Sequence, residues 1–111
     1  MKLMMFAHGG KARLGVVQGD EVVAVAGPGL PDDLAGVIAG GEAALAAVEA
    51  AAASGERLKV ADVTQELPLA HPGKFICVGL NYALHAKEGG HDIPTYPSFF
   101  PRYATSLVPA G

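Results

Sequence analysis

His85 and Glu88 stand three residues apart in Tyr82–Lys87 and its continuation, a stretch whose residues suit a short helix ended by Gly89-Gly90. On a helix, side chains at that spacing can touch. A carboxylate beside an imidazole fixes its tautomer and raises its basicity, which suits general-base work near neutral pH. Just upstream, the apolar strand Lys74–Val78 runs into Gly79 and then into polar Asn81 and Tyr82. Such a strand-to-loop junction often sets side chains at the mouth of a site. A solvated pair on an exposed helical turn has the same spacing, so spacing alone leaves both readings open.

The other reactive residue types have plainer readings. His8 follows a strand and precedes Gly9-Gly10, as a turn histidine does, and His71 before Pro72 reads as a linker residue. His91, six residues beyond His85, could pair with it at a metal, but two imidazoles without thiolates make a poor site. Cys77 lies inside an apolar strand, where a free cysteine acts as a small buried hydrophobe. The glycines form no phosphate-cradling loop followed by a helix, so nucleotide binding is not indicated.

Composition narrows the classes further. Among 111 residues, half are hydrophobic and 17% charged, which is enough to bury a core and argues against global disorder. The net charge of −3 and the absence of any Lys/Arg run remove the basic stripe that nucleic acids or anionic lipid surfaces require. One cysteine excludes an internal disulfide framework and points to reducing, cytoplasmic surroundings. Met1–Ala7 is too short for a secretory apolar region. The Ala-rich stretch Glu42–Ser54 carries Glu42 and Glu49 and falls short of a hydrocarbon core about 30 Å thick, so no membrane span is expected.

The elements that must position these residues follow from pattern and punctuation. Lys2–Ala7, Arg13–Gln18 and Glu21–Ala26 read as strands of an antiparallel meander, joined at His8–Lys11 and at Gly19-Asp20. Gly27–Pro31 is a break. A helix is expected to start at Pro31-Asp32-Asp33 and end at Gly40-Gly41, and a second to run from about Glu42 to Ser54 with Leu45 and Val48 as its apolar stripe. Leu58–Val63 and Glu66–Leu69 read as short strands or extended pieces, and Ser98–Phe100 as a short strand in a Pro-rich tail with exposed Tyr96, Phe99, Phe100 and Tyr103. The fold class is therefore α+β, a small antiparallel sheet with two helices.

Pro72-Gly73-Lys74-Phe75-Ile76-Cys77-Val78-Gly79-Leu80-Asn81-Tyr82, followed by His85 and Glu88, resembles the signature that opens the catalytic domain of the fumarylacetoacetate hydrolase family. Pro94–Phe100 and Ser106-Leu107-Val108 resemble its Pro-rich continuation, and Met1–Glu66 resembles the small domain that precedes it in many members. The resemblance implies a small N-terminal domain over 1–70. It also implies that 71–111 begins a β-rich roll catalytic domain, incomplete here and inactive alone. It implies a divalent metal, magnesium or manganese, in the full-length enzyme and none in this portion. The chemistry implied is C–C hydrolysis, decarboxylation or isomerisation of 2-oxo acid or β-diketone compounds. His85 would be the general base and Glu88 its orienting carboxylate, with Asn81, Tyr82 and Arg102 near the substrate. Family members are commonly dimers, so a homo-oligomer is expected.

Three departures stand out. Ala83-Leu84 replaces the polar pair many members carry between Tyr and His, and Arg102 stands near a position where many have Lys. No Asp or Glu follows Asp92, whereas the family places a Glu-x-Glu pair and a later Asp further downstream. A rival reading is a non-catalytic assembly or docking domain using Phe99, Phe100 and Tyr103 as contact surface.

Overall fold

The structure, a computed structural model, describes residues 1–110 and divides into two compact units. The first contains Met1–Ala70, with the segment from Val108 grouped with it, and the second is His71–Leu107.

In the first unit, β1 (Lys2–His8), β2 (Lys11–Gln18) and β3 (Glu21–Val25) form the expected meander. His8 pairs with Lys11, leaving Gly9 and Gly10 as a two-residue turn with φ of +59° and +77°, a conformation that only glycine adopts without strain. Two further strands extend the sheet on its edges. β4 (Arg57–Lys59) pairs with β3, and β5 (Thr64–Gln65) pairs with β1, giving the order β4-β3-β2-β1-β5, antiparallel throughout. Leu58–Val63 is thus a strand end followed by a 3₁₀ turn at Val60–Asp62. The second extended piece, Glu66–Leu69, is not a strand; the strand lies just before it, at Thr64–Gln65.

That order forces the sheet to curl. In a flat sheet, edge strands four spacings apart would lie about 19 Å from each other. Only Val60–Val63 separates β4 from β5, and three of those residues are coiled into the 3₁₀ turn. The edges must therefore approach. The connecting segment crosses one face, where Leu58, Val60 and Val63 pack on Met4, Phe6, Val22 and Ala24. Gly15 leaves room for this core, because a β-carbon there would meet a Val22 methyl and come within 2.8 Å of the Phe6 ring.

The opposite face holds Met5, Leu14, Val16, Val23 and Val25, and it is covered by Val37, Val48 and Ala52. Val37 and Val48 belong to α1 (Leu34–Ala51). Gly41, with φ +59° and ψ −141°, breaks this helix at the junction anticipated from Gly40-Gly41, leaving two helical pieces. The buried stripe differs from expectation, since Leu45 is exposed and Val37 with Val48 carries the contact. By length and composition alone α1 is apolar enough to cross a membrane. It is broken at Gly41, and Val37 and Val48 pack it on the sheet.

Pro31 precedes α1 rather than opening it, and Asp33 is the N-cap, its Oδ1 accepting from the Gly36 N–H at 2.7 Å. Replacing Asp33 with Ala removes that acceptor and should cost about 1 kcal/mol in a denaturation midpoint, with Asp33→Ser restoring most of it.

Candidate functional site

The second unit is built on a two-stranded antiparallel ladder. β6 (Ile76–Gly79) pairs with β7 (Ser98–Pro101), placing Cys77 opposite Phe100 and Val78 opposite Phe99. The Arg102 N–H extends the ladder, donating to the Phe75 carbonyl at 2.8 Å. Cys77 is half-buried, not enclosed as its apolar neighbours suggested, because a two-stranded ladder covers little.

After Gly79 the chain turns sharply. Leu80 has φ +49°, the left-handed region that non-glycine residues seldom enter. Such a conformation costs on the order of 1–3 kcal/mol and tends to gather at ligand sites. Nothing in the Leu80 side chain announces it from sequence. The turn carries Asn81 and Tyr82 outward and leads into α2 (Ala83–Glu88), with Tyr82 extended at the helix entrance.

The helix stops where Gly89-Gly90 indicated. Gly90 is left-handed at φ +70°, the His91 N–H donates to the Ala86 carbonyl at 2.8 Å, and the Gly90 N–H donates to the Lys87 carbonyl at 3.1 Å. This pair of bonds is a Schellman motif. A β-carbon at Gly90 meets no neighbour, so Gly90→Ala isolates the backbone cost. That change should loosen α2 by about 1–2 kcal/mol, seen as faster hydrogen exchange at the His91 and Gly90 amides.

His85 and Glu88 both lie on α2 and both are exposed. Among the described residues, neither a hydrogen bond nor an ion pair joins them. The helix thus brings them to neighbouring positions without engaging them. A cleft of about 400 Å³ opens where the Leu80 turn faces Ile93–Pro97, lined by Asn81, Ala83, Thr95 and Tyr96 among others. At about 100° per residue, His85 projects from the side of α2 roughly opposite Ala83, away from this cleft. Tyr82 is exposed and outside its lining. Arg102 lines a separate recess with Pro72–Ile76 and Tyr103. The five sequence-derived residues therefore share one small unit but not one cavity. Thr95 and Tyr96, read at first only as part of a Pro-rich loop, complete the cleft. Their position between Pro94 and Pro97, which stiffen the loop, was the available signal.

No group of three His, Cys, Asp or Glu side chains converges among the described residues. The donors among the described residues do not make up a divalent-cation site, since such ions want several hard oxygen ligands.

Residues 1–67 match the family profile described as Rv2993c-like, N-terminal. The chain is 38% identical over 82 residues to the mitochondrial oxaloacetate tautomerase FAHD2A of Homo sapiens, a match covering 73% of this chain and 26% of that protein. It is 37% identical over 82 residues to the fumarylacetoacetate hydrolase domain-containing protein 2 of Pongo abelii, with the same coverage. A Burkholderia lata protein, Bcep18194_B0137, provisionally named a hydrolase, is 33% identical over 111 residues, covering 96% of this chain and 37% of that protein. The chain thus spans about a quarter to somewhat over a third of the length of these relatives.

Proposed function

Since the chain belongs to the fumarylacetoacetate hydrolase family, with an Rv2993c-like N-terminal domain over residues 1–67, we propose that it is the N-terminal portion of an enzyme for 2-oxo acid or β-diketone compounds. Residues 1–70 would be its small leading domain and 71–111 the opening of a β-rich roll catalytic domain.

The observation that carries this reading is the continuous unit from β6 through the Leu80 turn to α2, which sets out Asn81, Tyr82, His85 and Glu88 within eight residues of one another. Hydrolysis, decarboxylation and enol–keto isomerisation share the movement of a proton to or from a carbon or water beside a carbonyl. His85 would accept that proton on its free ring nitrogen, while the Glu88 carboxylate would accept a hydrogen bond from the other ring N–H. For this the two side chains must turn toward each other across one helical turn, and closure of α2 over a substrate, presenting His85 to it, belongs to the proposal. Asn81 and Tyr82 would hold the substrate as hydrogen-bonding groups, and Arg102 would pair with a carboxylate. The name of the human relative, an oxaloacetate tautomerase, supports the isomerisation branch. The magnesium or manganese that the family implies does not fit the donors of this chain, so its ligands would belong to further residues.

The test is turnover by the longer protein, offered enol-oxaloacetate and a set of acylpyruvates. Acceleration of at least one, lost on replacing His85, is the expected result. Failure with every compound would contradict the assignment. Cytoplasmic placement and a homo-oligomer complete the proposal, to be read by fractionation and sedimentation.

A second reading, a docking domain without catalysis, draws on the exposure of Phe99, Phe100 and Tyr103. It predicts concentration-dependent association of the 111-residue chain. A monomer at all concentrations would count against it.

A further inference from the structure

The cleft beside the Leu80 turn has a volume of about 400 Å³, within the roughly 300–1,000 Å³ of small-molecule sites. Leu80, Ala83, Ile93 and two prolines give it apolar walls, and Asn81, Thr95 and Tyr96 add amide and hydroxyl groups. Among the described residues that line it, none is Lys, Arg, His, Asp or Glu. Lys87, one turn beyond Ala83 on α2, lies outside the lining, and Arg102 lines the other recess. The walls are also stiff. Leu80 holds its left-handed φ of +49°, and Pro94 and Pro97 each lock one backbone angle. A cleft so lined offers hydrogen bonds and apolar contact but no counter-charge.

A carboxylate entering such a cleft gives up part of its hydration, and without a cation nothing offsets that loss. An uncharged arm of the same shape loses no such hydration and gains apolar contact. We propose that this cleft receives the uncharged arm of a 2-oxo acid, so that the protein selects compounds with a neutral far end over dicarboxylates. Ala83 is then the specificity-determining residue, because it lines the cleft at the entrance to α2, where a longer charged side chain would supply the missing cation. The inference rests on the proposed function for the 2-oxo acid head, which the cleft does not itself recognise, and deepens it by dividing the candidate compounds. Acylpyruvates with alkyl arms fit. Enol-oxaloacetate, with its second carboxylate, is the poorer fit.

The test is binding to the longer protein of two matched probes, 2-oxoglutarate and the 2-oxo acid of the same shape whose distal carboxylate is replaced by an isopropyl group. Because the heads are identical, the ratio of their dissociation constants reports on the arm. The isopropyl compound should bind tighter by about 10-fold or more, and should shift the backbone amide resonances of Ala83, Thr95 and Tyr96. Ala83→Arg should reduce that ratio by about 10-fold by adding a cation. Ala83→Gln, long but uncharged, should leave the ratio in place. Equal or tighter binding of 2-oxoglutarate by the unaltered protein would overturn the proposal. So would a ratio that Ala83→Arg and Ala83→Gln change alike, or amide shifts confined to residues outside the cleft. Failure to bind either probe would overturn it as well. The expected preference in binding, without turnover of any compound, would sink the catalytic reading and leave this one standing. Efficient turnover with the dicarboxylate preferred would do the reverse.

Discussion

Phe6→Ala should destabilise the five-stranded unit by about 3–5 kcal/mol, the largest stability effect expected of any single change in this chain. Phe6 is fully buried, and its ring fills the space that Gly15 leaves open on β2. Truncation removes the apolar transfer energy and also leaves a cavity. A domain of this size holds roughly 5–15 kcal/mol in total, so the loss should move a urea midpoint far to the left or abolish the transition. Phe6→Leu keeps most of the volume and should cost under about 1.5 kcal/mol. If Phe6→Ala and Phe6→Leu shifted the midpoint equally little, Phe6 would not be the centre of that core.

His85→Gln in the longer enzyme should lower kcat by about 10²–10⁴-fold, the span associated with losing a positioned general base. Glutamine retains hydrogen-bonding capacity and helix compatibility, so folding and KM should change little. A fall in kcat at unchanged KM supplies the readout that a structural role would not move. Glu88→Gln should weaken the reaction less than His85→Gln, since it removes only the group that orients the imidazole. An unchanged kcat in His85→Gln would place the base elsewhere.

Much of the first unit was legible because local rules and tertiary packing agree there. Gly9-Gly10 and Gly19-Asp20 mark two-residue turns, and the strands they join carry dense Val, Leu and Met. The break at Gly41 was visible for the same reason. The extent of β5 was not, because Thr64 and Gln65 enter the sheet only through pairing with Ala7 and Phe6, a contact with no local signature. Leu45 was misplaced because an Ala-rich helix has too little contrast to orient itself, and the kink at Gly41 resets the phase between its two pieces.

In the second unit, the existence of β6, α2 and β7 could be read, along with the glycine stop at Gly90. The left-handed Leu80 could not, since leucine has no preference for that region. Nor does spacing say whether His85 and Glu88 touch. On α2 they are neighbours in position, but an exposed pair of this kind gains little from contact.

The most direct measurement is the coding sequence immediately beyond Gly111. The account predicts an open frame that continues into a Glu-x-Glu pair and a later Asp, the carboxylates that the family resemblance implies and that this chain lacks. A stop codon directly after Gly111 would contradict it, and the catalytic assignment of His85 and Glu88 would fall for this molecule.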